Sequence, residues 1–130
     1  MNSAGPSPFR RLLVVDDDRD LVDALCEWVT QHSSWTALGA YGPADAVAQA
    51  GRFHPDAILL DMEMGGANGF VTADRLDRAS APCHPPLFAL TGNPRLQDEA
   101  ARDERFTASM LKPADLPRLL RLLEHASPPQ

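Results

Sequence analysis

The sequence predicts an α/β domain built on a five-stranded parallel sheet, doubly wound, with helices on both faces. Three observations predict it. Five short apolar runs alternate with segments of helical period, and such alternation implies right-handed crossovers and a sheet covered on both sides. The first run has no in–out alternation, as suits a strand buried on both faces. Polar residues collect where the runs end, and sites in such sheets form outside the carboxyl ends of the strands, where strand order reverses.

The first run is Arg11–Val15 (RLLVV). In the stretch DRDLVDALCEWVTQH that follows, Leu21, Val22, Leu25, Trp28 and Val29 form one apolar helical face. Asp18 is a helix cap by type and position. WTALGAY is a second, less apolar strand. Gly42 and Pro43 open the next helix, with proline at its first position and a small-residue face of Ala44, Ala46, Val47 and Ala50. HPDAILLD is the third strand and ends in Asp61. A glycine-rich loop, MEMGGANG, leads into a helix from about Phe70 to Arg78. After the turn SAPCHPP, the fourth strand LFALT ends in Thr91. A helix is expected from Pro94 to Arg105, nearly all polar, with Leu96 its only large apolar residue. So little burial promises little tertiary stabilisation. FTASML is the fifth strand, followed by Lys112 and Pro113; Leu116, Leu119, Leu120 and Leu123 stripe the last helix.

At 130 residues the chain is one domain, with residues 10–125 folded between a flexible lead, 1–9, and a flexible tail, 126–130. A net charge of −6 argues against a nucleic-acid-binding face, which needs clustered cations. Lys112 is the sole lysine. Cys26 and Cys83 have no CxxC spacing and read as free thiols of a cytoplasmic protein, with a disulfide left open. No apolar run approaches the ~20 residues of a membrane span, and the N-terminus lacks the apolar centre of a signal peptide. His32, His54, His84 and His125 have no metal-ligand spacing and are expected in solvent.

Asp16, Asp17 and Asp18 follow the first strand, Asp61 ends the third, Thr91 ends the fourth and Lys112 follows the fifth. Carboxylates brought together from two strand ends repel one another. A hard divalent cation with oxygen ligands removes that repulsion. Mg²⁺ suits, since it accepts one or two carboxylates and keeps waters and a phosphate oxygen. A lysine, a hydroxyl and Mg²⁺ around one aspartate make a phosphoryl-transfer site, with the aspartate as nucleophile.

The motifs VVDDD, LLDMEM with ANG, ALTGN and LKP occur in this order at strand ends. Asp61 lies 45 residues after Asp16, and Lys112 lies 21 after Thr91. Over about residues 10–125 the sequence resembles the receiver domain of two-component response regulators. The resemblance implies a CheY-like (flavodoxin-like) (βα)5 fold with strand order 2-1-3-4-5. It implies Mg²⁺ held by Asp16, Asp17, Asp61 and the backbone carbonyl of Glu63, with Asp61 phosphorylated. Thr91 would turn its hydroxyl toward the phosphoryl group, Lys112 would pair with it, the Lys112–Pro113 peptide would be cis, and Gly69 would end the loop after Asp61. The implied partners are a sensor histidine kinase or phosphotransfer protein and an output protein that the sequence does not name.

Departures lie at the signalling end. Gly65 stands where the family usually has proline. Ser109 stands three before the lysine in place of the usual Tyr or Phe, and DERF replaces the usual GA before the fifth strand. The Pro94–Arg105 segment is then either a solvated helix or one whose order depends on the state of Asp61. Five residues after the last helix leave no room for an output domain, so readout would be by partner binding or onward phosphotransfer; a receiver excised from a longer chain fits equally. Two other readings remain open: a receiver-like scaffold that is never phosphorylated, and a phosphohydrolase of the haloacid dehalogenase type. The latter puts its nucleophile on the first strand, whereas here the candidate is on the third. A flavin phosphate would be repelled by the three aspartates.

Overall fold

Arg11–Val15 forms β1, and the other apolar runs form β2 (Thr36–Ala40), β3 (Ala57–Asp61), β6 (Leu87–Thr91) and β7 (Phe106–Leu111). They make one parallel sheet in the order β2-β1-β3-β6-β7. This is the expected 2-1-3-4-5 topology, with two short strands intervening in the numbering. The structure, a computed structural model, describes residues 10–126. The expected lead, 1–9, and the tail beyond Ala126 lie outside the described residues.

Alternate strand residues face opposite layers. Leu12, Val14, Leu59, Phe88 and Leu90 pack with Val22, Leu25 and Val29 of α1 (Arg19–His32) and with Leu119 and Leu123 of α5 (Leu116–His125). Leu13, Val15, Ile58, Leu60 and Ala89 pack with Ala46 and Ala50 of α2 (Pro43–Phe53), Ala73 and Leu76 of α3 (Gly69–Ser80), and Ala100 of α4 (Pro94–Ala101). The small face of α2 lets that helix lie close to the sheet.

Register fixes the site. Val15 pairs with Leu60, Asp61 with Leu90, and Thr91 with Leu111. Asp16, Asp61, Thr91 and Lys112 therefore leave the sheet along one edge, and the Lys112 N–H donates to the Thr91 carbonyl at 2.8 Å.

Two expectations need correction. The loop after Asp61 is a hairpin, in which β4 (Glu63–Met64) pairs antiparallel with β5 (Ala67–Asn68). Gly65 and Gly66 have φ of +53° and +83°, the left-handed pair that a tight hairpin turn requires. The glycine-rich loop thus contains a defined turn. The polar helix stops at Ala101 rather than Arg105. The Asp103 carboxylate accepts the Arg105 N–H at 2.9 Å and holds the Arg105 guanidinium, offering the backbone a turn in place of further helix. The helix is also better anchored than one leucine suggested, because Ala100 is fully buried and Leu96 packs on the core.

Gly69 follows the N-cap Asn68, whose side chain accepts the Phe70 N–H at 2.8 Å. A Cβ at Gly69 would lie 2.6 Å from the Met62 Cα. Backbone cannot retreat as a flexible side chain can, so Gly69→Ala should cost about 2–3 kcal/mol by overpacking. Urea denaturation measures it, and a loss below about 0.5 kcal/mol would show that the loop relaxes freely.

Candidate functional site: an acidic pocket at the sheet edge

The three consecutive acids separate by role. Asp18 caps α1, accepting the Leu21 N–H at 3.1 Å. Asp17 is exposed. Asp16 turns inward, and its Oδ1 accepts the Asp18 N–H at 3.1 Å. Across the strand-order reversal between β1 and β3, Asp61 Oδ1 accepts the Glu63 N–H, also at 3.1 Å. Asp16 and Asp61 are only 1% and 2% exposed. Carboxylate oxygens of Asp16, Asp17 and Asp61 lie within 4.8 Å of one another.

Lys112 enters from the end of β7. Its Nζ is 2.8 Å from Asp16 Oδ2 and 3.4 Å from Asp61 Oδ2. Apart from this ammonium, nothing satisfies either buried oxygen. One lysine faces three carboxylates, so the pocket is left with excess negative charge.

The two buried acids respond differently. Burial pushes Asp61 up to about 6, reinforced by the Asp16 charge and only partly offset by the Glu63 N–H and Lys112. Burial would also raise Asp16, but the Lys112 ammonium and the Asp18 N–H outweigh it and hold Asp16 below the usual carboxylate range. Lys112 is raised despite its own burial, because both carboxylates favour its charged form.

Thr91 is fully buried. Its hydroxyl accepts the Asn93 N–H at 3.1 Å and donates to Glu63 Oε1 at 3.3 Å. Sequence reasoning assigned only a backbone carbonyl to Glu63 and missed this side-chain contact. An acid two residues beyond Asp61 was the available signal, but the hairpin that aims it was not foreseen. Ser109 is 8% exposed, and its carbonyl accepts from Arg118 Nη1 at 3.1 Å. The Lys112–Pro113 peptide is cis. The four histidines are exposed, one of them, His84, against Asp77. Both cysteines are free, and burial pushes the Cys26 thiol up to about 11, which makes it a poor nucleophile.

The fold and pocket define a structural class: doubly wound α/β domains with an acidic cluster and a lysine at the switch point. The chain belongs to the response regulator receiver domain family, whose family model matches residues 12–124. A response regulator receiver protein of Anaeromyxobacter is 35% identical over 117 residues, covering 88% of this chain and 47% of that protein. The chain thus spans about half the length of that relative. A receiver domain from Methylobacillus flagellatus superposes with a TM-score of 0.80 at 20% identity, covering 92% of this chain and 99% of that one. The Thermotoga maritima response regulator TrrA, in complex with Mg²⁺ and beryllofluoride, gives 0.76 at 19% identity, covering 91% and 99%. At these identities the structural likenesses speak for the fold. Among the described residues no helix is long and apolar enough to cross a membrane.

Proposed function

We propose that this domain is a phospho-accepting signalling switch. In this reading Asp61 takes a phosphoryl group from a histidine kinase or phosphotransfer protein, and the change alters partner binding. The observation that carries it is the pair of buried Oδ2 atoms, on Asp16 and Asp61, satisfied only by a single ammonium. A purely structural pocket would be expected to pair or neutralise such groups.

The donor set of all oxygens, two of them buried and underpaired, fits Mg²⁺ held by Asp16, Asp17, Asp61 and the Glu63 backbone carbonyl. When bound, the cation balances charge on the transferring group. The chain's own residues do the rest. The Asp61 carboxylate attacks phosphorus, an O–P bond forms and the donor's bond to phosphorus breaks, the donor nitrogen keeping the electron pair and taking a proton. Lys112 then offsets the phosphoryl charge from the position where it now pairs with Asp16 and Asp61. Thr91 exchanges its bond to Glu63 for one to a phosphoryl oxygen. A group adding about −1.5 to −2 of charge shifts the balance between two conformations. The Mg²⁺-bearing likeness in TrrA supports this reading by analogy of fold.

The test is a Mg²⁺ titration followed by Trp28 and Trp35 fluorescence and by Tm. Millimolar Mg²⁺ should raise Tm by several degrees, the shift growing from pH 5.5 to 7.5 as protons stop competing for Asp61. No response at 10 mM (on the order of a generous excess for a Mg²⁺ site), or an equal response in Asp16→Asn, would contradict it.

A further inference from the structure

Between the β4–β5 hairpin and α4 lies an open groove of about 330 Å³. Its walls include Met62, Ala67, Phe70 and Leu96, an apolar set, together with Glu63 and Glu99. Both glutamates are exposed, and no basic side chain lines the groove. Glu63 is also the acceptor for the buried Thr91 hydroxyl. The groove is therefore joined to the acidic pocket by one hydrogen bond.

We propose that this groove docks a partner polypeptide segment carrying an arginine or lysine beside an aliphatic side chain. The aliphatic group lies on Phe70 and Leu96, and the cation pairs with Glu63 and Glu99. Charge complementarity selects this occupant, since two carboxylates without a counter-cation reject acidic segments and leave a purely apolar one unrewarded at the rim. Occupancy is tied to the switch, and this part rests on the function proposed above. The bond to Thr91 tethers the Glu63 carboxylate at Oε1, so a partner's cation meets it only in the orientation that bond allows. When Thr91 turns to a phosphoryl group, Glu63 is released to the groove. By linkage, a cation that captures Glu63 favours the released Thr91 to the same degree.

The test is an NMR titration of the ¹⁵N-labelled chain with a blocked pentapeptide, Leu-Arg-Ile-Arg-Leu, and with its counterpart in which glutamate replaces arginine. The basic peptide should shift the amides of Gly66, Ala67, Asn68 and Leu96, and the acidic one should not. Glu63→Gln with Glu99→Gln should weaken the basic peptide about tenfold; glutamine at 63 still accepts from Thr91, so the fold is kept. With Mg²⁺ and beryllofluoride the basic peptide should bind about tenfold tighter, within the usual range of coupling. Absence of binding, equal binding of the acidic peptide, shifts confined to another face, or undiminished binding by the double variant would overturn the docking site. If beryllofluoride shifts amides around Asp61 but leaves peptide affinity unchanged, the coupling is overturned while the phosphoacceptor reading stands. If beryllofluoride shifts nothing, the phosphoacceptor reading and the coupling fail together, and the charge dependence of peptide binding alone then decides the docking site.

Discussion

Lys112→Met is expected to destabilise the metal-free protein by about 2–4 kcal/mol at pH 7.5. Removing one partner of a buried ion pair leaves uncompensated charge and typically costs about 3–5 kcal/mol. The ammonium here is partly exposed, 30% against 2% for each carboxylate, so water screens some of that. Methionine keeps the stem, which isolates the charge from the packing. The deficit should shrink at pH 5, because Asp61, already raised to about 6, protonates and leaves less charge to balance. Urea denaturation at both pH values measures this, and a deficit independent of pH would mean that packing, not charge, had been lost.

Asp61→Asn is expected to do the opposite. The Asp61 pKa is raised from 3.8 to about 6, so the fold favours the protonated form. That stabilisation is fully present below about pH 4 and is lost as pH rises through about 6. At about 1.4 kcal/mol per unit, the ionised carboxylate costs the metal-free fold about 3 kcal/mol at most. Asparagine removes that cost. The variant should therefore exceed the parent by about 2–3 kcal/mol at pH 7.5 in chelator, with the gap closing toward pH 4. Added Mg²⁺ should then favour the parent alone and narrow the gap from the other side. A variant less stable than the parent at pH 7.5 in chelator would show that the pocket is adequately balanced by Lys112. The same residue would thus weaken the fold and supply its chemistry, a common trade at functional sites.

The sheet was legible because its strands are continuous apolar runs and its helices keep period 3.6. Asp16, Asp61, Thr91 and Lys112 were legible because each closes or follows a strand, and parallel register carries strand ends to one edge. The hairpin after Asp61 was hidden, since Gly65 and Gly66 signal a permissive backbone without saying which conformation it takes. Helix α4 was overrun because residues 102–105 are compatible with helix in isolation; the Asp103–Arg105 turn is local, but the Arg105 bond to the Phe70 carbonyl that accompanies it spans 35 residues. The Glu63–Thr91 contact spans 28 residues and needs the hairpin in place, so no local pattern announces it.

The central claim is that Asp61 is the phosphoacceptor, and intact-mass measurement after exposure to acetyl phosphate and Mg²⁺ tests it most directly. The account predicts one added phosphoryl group on the parent. That group should be lost on standing or with hydroxylamine, as an acyl phosphate would be, and should be absent from Asp61→Asn and from the parent in chelator. Equal labelling of Asp61→Asn, or no labelling of a parent that binds Mg²⁺, would contradict it.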